Sequence, residues 1–218
     1  MQASTSSKPG ILPRPLNRRS LARAANSVGG NDPDLRRIRD TLGVPPLWDR
    51  QPGFATLVFI ILEQQVSLAS ARAAFERLTA ARSPLTPGSF LELDADTLKQ
   101  IGFSRQKTRY ARALATSIVD GTLDLDALHA LEDDCVREEL TKLPGIGPWT
   151  ADIYMVMALL RPDVWPRGDL ALAKAVQAVK GLKALPSAEE QERLAQRWKP
   201  WRAVAARLFW SHYLHHGL

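Results

Sequence analysis

Cysteine is nearly missing from this chain. Cys135 stands alone among 218 residues, which excludes an intramolecular disulfide framework and fits a reducing compartment. No apolar run approaches the roughly 20 residues that a membrane-spanning helix needs, so no membrane role is expected. The four histidines, His129, His212, His215 and His216, lack metal-ligand spacing. Neither a phosphate-cradling glycine loop with its lysine nor a paired serine and histidine is present. Strand-like alternation and internal repeats are missing too, which leaves an all-α chain. Acidic residues are absent from residues 1–31, which carry Lys8, Arg14, Arg18, Arg19 and Arg23. That stretch supplies nearly all of the net charge of +6, so charge by itself does not identify a nucleic-acid partner.

What is present divides into two parts. Residues 1–33 are rich in Ser, Pro, Asn and Arg with little apolar periodicity, and read as a disordered basic tail suited to non-specific attraction to DNA. Their composition also superficially resembles an organelle transit peptide. Residues 34–218 read as one helical domain with ample chain to bury a core. Residues 54–78 form an apolar run after Pro52-Gly53, read as one helix. Residues 97–101 stop at Gly102, and 104–119 stop before Gly121. Ser187 and Glu190 make a capping box for a helix that Pro200 interrupts.

The most informative string is Leu143-Pro144-Gly145-Ile146-Gly147-Pro148-Trp149-Thr150-Ala151. Residues 132–143 read as a helix, with apolar Val136, Leu140 and Leu143 between charges. Pro144 and Gly145 stop it. Gly147 and Pro148 open a second helix over 149–160, so the hairpin spans about 132–160. Unpaired amides at that helix start, together with its dipole, suit a phosphate, and neither glycine carries a side chain to obstruct one. A bare Gly-x-Gly is as well explained by a tight turn between packed helices. The whole string, with both prolines, is more specific.

Downstream, 161–168 is proline-rich and cannot be helical, and Asp169 then heads a strong helix former. Aspartate is a preferred N-cap and needs no catalysis to justify it. Beside a phosphate grip it gains a second meaning. Hydrogen bonds favour its charged form, and a fixed negative charge is what a sugar C1′ needs as its base departs.

Taken together, these stretches resemble the helix-hairpin-helix DNA glycosylase superfamily, and within it the 3-methyladenine DNA glycosylase II (AlkA-like) family. The resemblance also includes Ile61-Leu62-Glu63-Gln64-Gln65-Val66-Ser67, the Gly-x-x-x-x-Lys turn from Gly102 to Lys107, and Trp198-Lys199-Pro200-Trp201-Arg202 with Trp210 beyond. It implies two helical lobes with the active-site cleft between them, and Asp169 as the catalytic carboxylate. Trp149 and Trp210 would line the pocket for an everted base. Gln65 would plug the gap left in the duplex, and Leu143, Pro144, Gly145, Ile146 and Gly147 would hold a phosphate. The backbone of Thr141, Leu143 and Ile146 would share a monovalent sodium or potassium ion with it. Trp165, Trp198 and Trp201 read as core. Glu63 is a second candidate carboxylate on the buried side, near Gln64, for which capping or solvent exposure is the preferred reading. Ile153 and Leu170 stand where some members place pocket tyrosines.

Members that nick the strand carry a lysine at the Trp149 position, so lyase chemistry is expected to be absent. With one cysteine, no iron–sulfur cluster is expected, and no cofactor is required. Alkylated purines of the 3-methyladenine and 7-methylguanine type are cationic, which suits indole faces and makes the base a good leaving group. The expected partner is double-stranded DNA containing damaged bases, bound by a monomer. The expected location is cytoplasmic and nucleoid-associated in a bacterium, or nuclear or organellar in a eukaryote. Two rival readings stand beside this one: the same reaction on deaminated or oxidised bases, and a non-catalytic helix-hairpin-helix module that only holds DNA.

Overall fold

The computed structural model describes residues 14–217, and among them every regular element is helical. One lobe contains α3 (Phe54–Glu63), α4 (Leu68–Ala81), α5 (Pro87–Leu91), α6 (Ala95–Ile101), α7 (Arg105–Val119) and α8 (Asp133–Thr141). The other is built from both ends of the chain: α1 (Arg18–Asn31) and α2 (Pro33–Leu42) pack with α10 (Leu170–Lys180), α11 (Ala188–Ala195) and α12 (Arg202–His216). Between them α9 (Pro148–Met157) packs on α3 and α8. Short 3-10 turns lie at Ala127–Ala130 and Gln196–Trp198.

Three helices are buried on nearly every side: α3 because its sequence is apolar all round, α9 and α12 although they also bury the charged Asp152 and Arg207. In α3, Leu57, Val58, Ile60 and Ile61 are fully enclosed. Residues 150–156 of α9 and 203–210 of α12 are likewise buried throughout. A helix that is apolar all round can only sit in the centre of a core. The remaining helices bury one stripe and carry the boundaries their caps dictate: Ser104 caps α7, Asp94 caps α6, and Ser187 with Glu190 closes the capping box of α11.

Two sequence expectations are corrected. Residues 18–31, expected within a disordered tail, form α1 instead, capped by Asn17 and Ser20. Leu21, Ala24, Ala25 and Val28 recur at helical spacing and are buried; the first three, together with Leu16, pack against Val204 of α12, and Val28 joins the main core. Alanine gives a weak hydrophobic signal, and only packing on α2 and α12 makes the stripe valuable. The rest of that expected tail, residues 1–13, lies outside the described residues. The second correction concerns 54–78, which is two helices rather than one. Gln64 turns extended and Gln65 takes a left-handed φ of 57°, after which Ser67 caps α4. Neither glycine nor proline marks this break. It is held from outside, because the Gln64 amide donates to the Gly145 carbonyl at 2.8 Å and to Thr150 Oγ1 at 3.0 Å.

Candidate active site and nucleic-acid interface

The hairpin between α8 and α9 forms as its sequence predicts. Gly145 has φ +85°, and a Cβ added there would lie 2.1 Å from the Tyr110 ring, so two independent constraints demand glycine. Gly147 is different. Its φ of −89° suits any residue, and a Cβ would meet nothing within 4 Å. Its lack of a side chain matters only to something approaching from outside. Gly147 is also the N-cap of α9 and offers no side-chain cap, which leaves first-turn amides free for an external acceptor. Leu143 is half-buried and Pro144 exposed, while the Ile146 side chain is buried in the core, so Ile146 can present only its backbone. Behind the turn, Arg137 Nε of α8 donates to Asp152 Oδ1 of α9 at 2.9 Å. The second oxygen of Asp152 accepts from the Arg167 amide at 3.2 Å. One buried carboxylate thus ties the hairpin to the segment that leads into Asp169.

The Gln64–Ser67 bend lies against this hairpin through the Gln64 bonds, and Gln65 projects from it, exposed. The lysine of the Gly102–Lys107 turn does not face outward: its Nζ donates to the Leu62 carbonyl near the end of α3 at 2.7 Å, and burial pushes its pKa down. It fastens the bend that carries Gln65.

Asp169 caps α10, as expected, and three elements hold it. Oδ1 accepts from the Leu172 amide at 2.7 Å and from Trp210 Nε1 of α12 at 3.2 Å. Oδ2 accepts from Trp149 Nε1 of α9 at 2.9 Å. No basic side chain bridges it among the described residues. Asp169, Trp149 and Trp210, drawn from three helices, therefore meet at one point. That point lies on a cavity of about 580 Å³, within the range of small-molecule sites. Ile153 lines the same cavity, but Leu170 does not; its side chain stands largely exposed beyond it.

Several lining residues escaped the sequence reading, Asp49, Leu68 and Leu214 among them, and four more shape the site. Met157 and Tyr213 follow from the faces of α9 and α12 only once the packing is known. Trp48 stands in the loop before α3, edge-on to Trp210 with ring centroids 6.2 Å apart, and has a left-handed φ of 46°. Arg207 helps to hold it there. This fully buried guanidinium donates to the carbonyls of Leu47, Val156 and Ala203 at 3.1, 2.7 and 3.2 Å, and burial pushes its pKa down to about 10. The fourth is Arg50, whose amide donates to the Met157 carbonyl at 2.8 Å. Arg50 also overturns the expectation for Glu63. That carboxylate neither caps a helix nor faces solvent: it is buried, and both its oxygens accept from Arg50, at 2.8 and 2.9 Å. The partners are thirteen positions apart across a loop, beyond any helical spacing rule.

A second hollow, of about 390 Å³, lies near the start of α8 and is walled by charges that largely pair with each other, such as Arg202 with Asp163 and Arg137 with Asp134. Trp165 and Trp198 are core, as expected; Trp201 is only partly covered.

A glycine hairpin with open amides, an aromatic cavity beside it and one capped carboxylate between them are the parts of a helix-hairpin-helix fold. Residues 58–200 match the HhH-GPD superfamily of base excision DNA repair proteins, and the chain belongs to that superfamily. The alkylbase DNA glycosidase-like protein mag2 of Schizosaccharomyces pombe is 29% identical over 127 residues, 58% of this chain. Among solved structures, the 3-methyladenine DNA glycosylase Mag1 from fission yeast, bound to abasic DNA, superposes with a TM-score of 0.81 at 23% identity, covering 86% of this chain and 95% of that one. A DNA-3-methyladenine glycosidase from Bacillus halodurans gives 0.76 at 26% identity over 89% and 90% of the two chains. The chain spans 60% of mag2 and 55% of a Bacillus subtilis relative that is 28% identical over 158 residues.

Proposed function

We propose that this protein is a monofunctional DNA glycosylase that removes alkylated purines from double-stranded DNA. The observation that carries the reading is the setting of Asp169: its oxygens are fixed by two indole N–H groups and a backbone amide, no cation among the described residues pairs with it, and it borders a cavity large enough for a base. The hairpin amides would anchor a phosphate while the damaged nucleotide leaves the stack, a rotation whose cost weakened pairing lowers. Gln65, exposed on the adjoining bend, would fill the space left behind. Indole faces attract a cationic base by about 0.5–2 kcal/mol.

The chemistry then needs little more. As the C1′–N bond breaks, its electron pair leaves with the base and neutralises the methylated ring. Positive charge collects on the sugar, and Asp169 stabilises it electrostatically. A water adds to C1′ opposite the leaving base and gives its proton to solvent, which leaves an abasic site. Trp149 cannot form a Schiff base, so no strand cleavage accompanies release. A sodium or potassium ion would fit the carbonyls of Thr141, Leu143 and Ile146. These are hard oxygen donors at the C-terminal end of α8, where the helix dipole favours a cation, although Leu143 O also accepts from the Ile146 amide at 3.1 Å. Such an ion would add positive charge beside the phosphate.

Incubation with DNA treated with a methylating agent, followed by chromatography of the freed bases, tests this reading. Release of 3-methyladenine or 7-methylguanine with the strands left intact is expected. No release with protein in excess over lesions would overturn it.

A further inference from the structure

The Arg50–Glu63 pair has no role in holding a phosphate or in hydrolysis, yet it stands on the wall of the same cavity. Much of the remaining wall is apolar or aromatic, including Trp48, Ile153, Met157 and Trp210. Stability alone is a poor explanation for the pair. Glu63 is largely desolvated and Arg50 partly so, and such a pair seldom improves on apolar residues of the same volume. The pair is also rigid. Both guanidinium-to-carboxylate bonds are formed, the guanidinium lies 4.8 Å from the Phe59 ring centroid, and Phe59 stacks on Phe75 at 4.7 Å. The Arg50 backbone is pinned to Met157 as well. Each carboxylate oxygen spends one lone pair on Arg50 and keeps another, while the guanidinium has N–H groups beyond the two it uses.

An everted base loses its pairing partner, and its polar edge must find replacements or remain unsatisfied in an apolar cavity. Resting on the proposed glycosylase reading, we infer that Arg50 and Glu63 form a fixed reader for the hydrogen-bonding edge of the base. Glu63 accepts from an exocyclic amino or ring N–H, and Arg50 donates to the neighbouring ring nitrogen or carbonyl. The tryptophans then select for flatness and positive charge, whereas this pair selects for a purine with a donor beside an acceptor. Because the pair is neutral as a whole, it does not compete with Asp169 for the cationic sugar.

Two ligands separate edge reading from mere support of the cavity. Free 3-methyladenine has the polar edge; N-methylquinolinium is a flat aromatic cation without one. Binding of each to the full chain is measured by quenching of tryptophan fluorescence, for wild type, Glu63→Gln and the double variant Arg50→Met/Glu63→Leu. The double variant leaves no unpaired buried charge and so protects the test against misfolding. In both variants, 3-methyladenine affinity should fall about tenfold or more, as expected for lost hydrogen bonds to charged groups, while N-methylquinolinium affinity stays within about twofold. Equal losses for both ligands, or no loss for either, would overturn the proposal. Base release from methylated DNA by wild type is measured in parallel. Release with unchanged variant affinities sinks the edge reader alone, and absence of release sinks the glycosylase reading beneath it.

Discussion

Two aspartates in this molecule do the same local job and have opposite surroundings. Asp32 caps α2 and Asp169 caps α10, and each also accepts a tryptophan indole N–H. Asp32 is sealed in the interior, where both its oxygens accept from Lys180 at 2.6 and 2.8 Å and one from Trp198 at 2.9 Å. Asp169 is half-exposed on a cavity, with two indoles and no cation. A neutralised carboxylate in a closed interior stabilises a fold. One left charged and open to a cavity can act on a ligand. Capping geometry alone does not separate them; the third partner does.

The largest effect that separates the two is on stability. Asp32→Ala removes the α2 cap, strands an indole N–H and leaves the Lys180 ammonium with Asp34 alone, and should cost about 3–4 kcal/mol in urea unfolding. A cost no greater than that of Asp169→Ala would break the comparison. The pH dependence has a definite sign. Burial pushes the Asp32 carboxyl up, but the hydrogen bonds from Lys180 and Trp198 outweigh it and hold the group below its usual 3.8. A depressed carboxyl contributes stability above the unfolded-state value and loses it as pH falls through the folded one. Wild-type stability should therefore decline below about pH 4, and Asp32→Asn should lack that part of the decline.

Next in size is Asp169→Asn, which should slow single-turnover base release by about 100- to 1000-fold. Duplex binding, followed by fluorescence anisotropy, should survive. Release that persists at wild-type rates would reduce this carboxylate to a cap like any other.

The hairpin offers a smaller pair. Gly145→Ala meets the Tyr110 ring and an unfavourable φ, and should lower stability by about 1–3 kcal/mol. Gly147→Ala meets nothing and should leave thermal unfolding within about 0.5 kcal/mol of wild type. Its expected effect is weaker DNA binding only, because a methyl group now stands where a phosphate would approach. The stability cost of Asp169→Ala is small as well. Water can reach the freed indoles, so about 1 kcal/mol for a lost N-cap is expected by chemical denaturation.

Much of the site was legible in the chain, and the reason is local. Hairpin, cap and helix boundaries are set by neighbouring residues: Pro144 and Gly145 end a helix wherever it lies, and Asp169 caps whatever follows. Trp149 and Trp210 were placed by resemblance, and the structure brings them to Asp169. The misses share a different cause. Residues 18–31 gain their helix from packing on α2 and on α12, the latter almost the whole chain away. The break at Gln64 is held by Gly145 and Thr150 across some eighty positions. Glu63 finds Arg50 across a loop, and Trp48 owes its place partly to a buried arginine 159 positions later.

From its residues alone the chain determined an all-helical architecture, a phosphate-ready turn and a carboxylate fixed at a helix start, since each depends on backbone constraints that act over a few positions. Tertiary structure alone decided which aspartate is paired with a lysine and which meets only indoles and an amide, and which polar pair shares the cavity with the tryptophans. Those outcomes depend on desolvation and on partners far apart in sequence, and neither exists until the lobes have closed around them.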